Sequence, residues 1–142
     1  MDSPTLALAN ALSLVSQFLH MHPAIVRGVE HFNSRRFFEA HEALESVWLE
    51  VEGDEKLFLH GLIQVAAAFH HYQRGNLQGF SSLLRKGTAK LERFSANPFG
   101  LRTQDFMAQI RPWIAAEWPT GQGSPALPIL RVLPDPVPFS KS

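Results

Sequence analysis

Cysteine is missing from all 142 residues. Its absence excludes disulfides and thiolate metal sites, and it fits a reducing compartment. Net charge is missing too, since 13 Lys and Arg balance 13 Asp and Glu. No overall basic field therefore draws the chain to nucleic acid. The first Lys or Arg is Arg27, so the basic opening of a signal peptide is lacking. The apolar run before it is broken by Asn10, Ser13, Ser16 and Gln17, which leaves it too short and too polar to span a bilayer. No Gly-rich phosphate loop and no Ser-His-Asp order stands out. These absences point to a cytoplasmic protein, with no membrane association and no cofactor expected.

What the chain does have is helical periodicity. Its length suits one domain with a real core. Ser3 and Pro4 suit the N-cap and first position of a helix that carries Leu8, Leu12, Val15 and Leu19 and ends near His20. A second helix starts at Pro23, with Ile25, Val26, Val29 and Phe32 on its apolar side, and stops around Asn33-Ser34-Arg35. A third runs from Phe37 to about Glu50 and lines up Phe37, Ala40, Leu44, Val47 and Trp48. Asp54 is placed to cap a fourth, from Glu55 to about Arg74. That helix is apolar nearly all round, which marks it as central and buried. One narrow polar strip interrupts it, made of His60, Gln64 and His71. Gly75-Asn76 closes it. A fifth helix carries Leu77, Phe80, Leu84, Gly87, Leu91 and Phe94, and Thr103 can cap a sixth through Phe106, Met107 and Ile110. Pro112 either ends that helix or opens a short second piece.

The composition changes at Pro119, and six of the ten prolines lie between Pro119 and Pro138. The expected division is a helical bundle over 1–118 and a Pro-rich tail over 119–142, extended or partly disordered and contributing little to folding. Residues 129–133 are apolar enough to lie along the bundle. An internal repeat also appears at an offset of 40 residues: His31-Phe32 corresponds to His71-Tyr72, and Arg35-Arg36-Phe37 to Gly75-Asn76-Leu77. Each unit is helix, tight turn, helix, similar to a tetratricopeptide hairpin but with a longer period. The fold expected is all-α: a compact, irregular bundle of about six helices containing two such hairpins, with the extended tail.

Two blocks are distinctive. Phe32-Asn33, then Phe37-Phe38-Glu39-Ala40-His41-Glu42, Leu44-Glu45 and Trp48, resembles the signature of the family called domain of unknown function 309. Gly61-Leu62-Ile63-Gln64, His71 and Arg74-Gly75-Asn76 resemble its second block, and Phe99-Gly100-Leu101 its third. The likeness covers roughly Ala24 to Ala116. It implies a small, all-helical protein without an assigned activity. Arg35 stands where the family usually has a turn glycine, which implies a strained or differently shaped turn. His60 stands where Gln is common, which implies a more basic or pH-sensitive polar strip.

The candidate site is His41, Glu42 and Glu45 on the third predicted helix with Gln64 and His71 on the fourth. A short loop joins these helices, so they should pack antiparallel. The structural reading is a buried polar seam whose members satisfy one another and fix register, Glu45 pairing with His71 directly or through Gln64. The chemical readings are a metal site, with His41 and Glu45 at i, i+4 and His71 as third ligand, or acid/base catalysis by Glu45 or Glu42 with His71. Against metal, His-Glu-x-x-Glu is not His-Glu-x-x-His, no fourth ligand is evident, and Glu-x-x-His pairs of the ferritin kind are lacking. No metal is expected.

Charge is segregated along the chain. Residues 37–55 hold seven acids and no base, whereas 85–102 hold Arg85, Lys86, Lys90, Arg93 and Arg102 against Glu92 alone. These are solvated helix faces or complementary surfaces for a protein partner or a second copy in a homodimer. The basic stripe lacks the interleaved aromatics of a nucleic-acid surface. The sequence thus points to a helical binding or interaction module, with a hydrolase acting through the His/Glu cluster as the alternative.

Overall fold

A computed structural model describes residues 22–115 and 123–132. Five α-helices and one 3-10 turn follow in order: α1 (Pro23–Asn33), α2 (Phe37–Trp48), α3 (Gly53–Gln73), α4 (Leu77–Leu91), the turn Pro98–Gly100, and α5 (Thr103–Ala115). The described residues contain no strand, only an antiparallel bridge between Leu101 and Val132. The helix predicted over residues 3–20 lies outside the described residues. No described helix is long and apolar enough to cross a membrane.

The helix starts are locally determined. His22 caps α1, its Nδ1 accepting from Ala24 N at 3.0 Å, and Pro23 needs no donor at the first position. Asp54 does not cap α3 as expected. It lies in the first turn with Glu55, where carboxylates meet the helix dipole, and Glu52 takes the cap position. Asn76 caps α4 by accepting from Gly79 N at 2.9 Å. Asn97 Oδ1 accepts from Thr103 N at 3.0 Å and so fixes the entry to α5. Pro112 neither ends nor splits α5, which runs on to Ala115.

The turns at offset 40 repeat atom for atom. Arg36 N donates to His31 O at 2.8 Å and Asn76 N to His71 O at 2.9 Å; Arg35 N donates to Phe32 O and Gly75 N to Tyr72 O, both at 3.0 Å. This is a Schellman-type closure with a left-handed residue at its centre. Gly75 takes that conformation freely, at φ 78°, while Arg35 is forced into it at φ 68°. The turn at Arg35 is therefore the same shape, and strained.

The central helix is α3, flanked by α2 and α4. Phe58, Leu59, Leu62, Val65, Ala66, Ala68 and Phe69 are all buried on it, as its all-round apolar pattern requires. Phe32, Phe37, Phe69, Phe80, Phe106 and Trp113 join α1 to α5 around one aromatic core; Phe32 and Phe37 lie 4.9 Å apart and Phe69 and Trp113 5.1 Å apart. On the other side of α3, Gly61 meets Gly87 backbone to backbone: a Cβ on Gly87 would stand 2.7 Å from Gly61 O.

Residues 123–132 run back along α5 from Trp113 to Asp105. Asn33 holds Leu130 at both ends, donating to its carbonyl at 2.9 Å and accepting from its N–H at 2.8 Å. Gln109 holds Ile129 the same way, at 3.0 and 2.8 Å. Trp113 Nε1 donates to Ala126 O at 3.0 Å, and Leu130 is buried in the core. This part of the predicted tail is thus an extended strap fastened along the bundle by side-chain hydrogen bonds.

Candidate functional site

Beside its core stripe, α2 carries a second stripe at helical spacing: Phe38, His41, Glu45 and Trp48. The facing stripe of α3 is His60, Ile63, Gln64 and Ala67. Together with Leu83 of α4, residues from His41 to Ala67 on these stripes line an open groove of about 260 Å³. Trp48 packs against His60 with ring centroids 5.9 Å apart, and Lys56 Nζ lies 4.3 Å above the Trp48 ring. At the other end, Phe38 is 47% exposed and packs on His41 at 6.1 Å and His70 at 5.3 Å. Lys90 reaches over from α4 and donates from Nζ to Gln64 Oε1 at 2.8 Å.

The imidazoles differ in their surroundings. Burial, and then the Lys90 ammonium, push the pKa of His60 below its ordinary value. Burial lowers that of His70 as well, aided by Arg74, His71 and His41 and opposed by Glu39. His41 Nδ1 is shielded from solvent and has no hydrogen-bond partner, an arrangement that costs free energy unless something supplies the bond.

Of the five predicted site residues, His41, Glu45 and Gln64 come together in the groove. Glu42 is exposed and outside its lining. His71 is outside it too, its Nδ1 3.2 Å from Asn76 Nδ2. The buried, mutually satisfied seam is therefore corrected: Glu45 is exposed, it does not meet His71, and Gln64 is held by Lys90 instead. The physical reason is that the α2–α3 seam is filled by Phe37 and Phe69, 5.4 Å apart, which leaves the polar side chains at the rim. Among the described residues no three His, Asp or Glu side chains stand close enough to hold one metal ion. Trp48, His60, Leu83 and Lys90 are groove residues that the sequence does not mark as a site. His60 had a signal, as the first member of the polar strip, and Lys90 had one in the Lys86–Lys90 stripe.

The fold and groove define a small all-α domain with an open, mixed polar and apolar face along its central helix. Residues 25–83 match the family model described as Domain of unknown function (DUF309), so this segment is a DUF309 domain. The match includes every residue lining the groove and stops before Lys90 and before Phe99-Gly100-Leu101. No curated protein matches the chain at a significant level.

Proposed function

We propose that the protein is a binding module that holds a segment of a protein partner in the groove between α2, α3 and α4. The observation that carries this reading is the groove's make-up. Trp48, Ile63 and Leu83 offer apolar contact, while Glu45, Gln64 and His60 offer polar contact. Its form argues for a segment over a small molecule. Small-molecule pockets enclose most of their ligand and fall at roughly 300–1,000 Å³, whereas this groove is open and about 260 Å³. An exposed aromatic at the rim, Phe38, suits helix-in-groove recognition. Two helix–turn–helix units side by side, of the tetratricopeptide kind, would present such a face.

The test is selection of binding peptides from a displayed random library, followed by affinity measurement on the Ala67→Arg variant. Ala67 is the small residue of the groove floor, and Arg there fills the channel. Selected peptides should lose at least about tenfold in affinity while the thermal midpoint stays put. Peptides that bind the variant equally well would show that the groove is not the binding site.

A further inference from the structure

The two walls of the groove carry opposite charge. Glu45 stands on the α2 wall, with Glu42 exposed beyond it. The α4 wall presents Lys86 and Lys90 one turn apart. Lys90 bonds Gln64 on the floor, and Gln64 and Glu45 both line the groove. Glu45 and Lys90 therefore flank the same groove from opposite walls. No ion pair joins them: the pairs among the described residues are His22–Glu50, Arg36–Glu39 and Arg131–Asp105. Each wall is left to find its counter-charge elsewhere.

One copy of the chain can supply both counter-charges to another. A two-fold axis parallel to α3, over its exposed face, lays the acidic wall of one copy on the basic wall of the other. We propose that this face docks a second copy of the chain, with Glu45 of each copy opposite Lys90 of the other. The inference deepens the groove reading above and rests on it. The contact is isologous, so the charge pair occurs twice. On the axis each floor residue meets its own counterpart, and Ala67 leaves room there. His60 meets its counterpart without charge repulsion near neutral pH, because its neutral form is favoured. Phe38, at the rim, adds apolar area. Helices spaced about 10 Å apart make the face about 20 Å wide, and α4 gives it about 22 Å of length. Such a footprint belongs at the small, transient end of protein interfaces, so the dimer should be weak and salt-sensitive.

The experiment is sedimentation equilibrium of the full chain at low and high salt, with charge-reversal variants checked for fold by circular dichroism. The wild type should dimerise with rising concentration, and about 0.5 M salt should weaken the dimer about tenfold. Glu45→Lys and Lys90→Glu should each weaken it at least about tenfold, with Lys86→Glu as a second basic-wall variant that leaves the Gln64 bond intact. An equimolar mixture of Glu45→Lys with Lys90→Glu should associate again, because both facing pairs are then opposite in sign. A chain monomeric at roughly millimolar concentration, or a dimer indifferent to both reversals, overturns the proposal. Peptide binding that Ala67→Arg abolishes in such a chain would keep the groove as a site for a different protein, so the two readings fail separately.

Discussion

Gly87→Ala tests the packing that sets the groove. In an isolated helix this change stabilises by about 1 kcal/mol, because Ala loses less backbone entropy than Gly. Here the new Cβ would stand 2.7 Å from Gly61 O, 2.9 Å from Val65 Cγ2 and 3.1 Å from Gln64 Cβ. The first neighbour is helix backbone and the second belongs to a fully buried side chain, so neither yields without moving α3 against α4. Overpacking of this kind costs about 1–3 kcal/mol, occasionally more, and α3 also carries the core on its other faces. With two unyielding neighbours the cost falls in the upper half of that range, so after the helix gain of about 1 kcal/mol the expected net loss is about 1–2 kcal/mol, or a fall in thermal midpoint of roughly 3–8 °C. Gly79→Ala is the control. Its Cβ would also meet an atom at 2.7 Å, but that atom is the side-chain amide of exposed Asn76, which can swing aside. Its helix gain and its weakened cap should nearly cancel. Thermal and urea unfolding of both variants decides the matter. If Gly87→Ala is neutral or stabilising, the close α3–α4 contact is not what spaces these helices.

Three further outcomes are expected. Arg35→Gly should stabilise by about 1 kcal/mol, since it relieves a left-handed residue at φ 68° that Gly75 occupies without strain at the equivalent turn; a loss in urea unfolding would mean that the Arg35 side chain, which donates to Asn33 O, outweighs the strain. Asn33→Ala should cost about 1–3 kcal/mol by stranding the N–H and carbonyl of buried Leu130, with faster proteolysis within 123–132; a change below about 0.5 kcal/mol would show the strap to be dispensable. His60→Gln should flatten the fall in stability on acidification from about pH 7 to about pH 5. The folded state holds His60 below its unfolded value of 6.5, so it binds fewer protons than the unfolded chain in that window, and stability is lost as pH falls through the folded pKa. An unchanged pH profile would mean that the ring is as well solvated folded as unfolded.

Much of this fold could be read from punctuation and periodicity. Pro23 opens α1, Gly75 and Asn76 separate α3 from α4, and the all-round apolar pattern of α3 places it at the centre. The offset of 40 residues located both left-handed turns, because a Schellman closure demands the same backbone whatever residue fills it. Proline density is silent on how the strap is held. What fastens residues 129 and 130 is two side-chain amides, Asn33 and Gln109, bonding backbone groups, and such bonds leave no trace in the strap's own composition. Pro112 misled, since a proline inside a helix removes one donor without ending it when the next residue, Trp113, is held by the core.

The site was half legible for a geometric reason. Helical spacing says which residues of one helix share a side, so His41 with Glu45 and His60 with Gln64 could each be grouped. It does not say how far each helix is turned about its own axis toward its neighbour. That rotation is fixed here by unequal seams. Bulky rings fill the α2–α3 seam, Phe37 against Phe69 and Trp48 against His60, whereas two glycines close the α3–α4 seam. The near wall therefore becomes α4, and its lysine, not a residue of α2, completes Gln64. With Lys90 on Gln64, Glu45 is released from the buried pairing that its position beside the polar strip implied, and its carboxylate faces outward. The small residues of the α3–α4 seam thus decide which polar groups of the groove are already satisfied and which stay exposed.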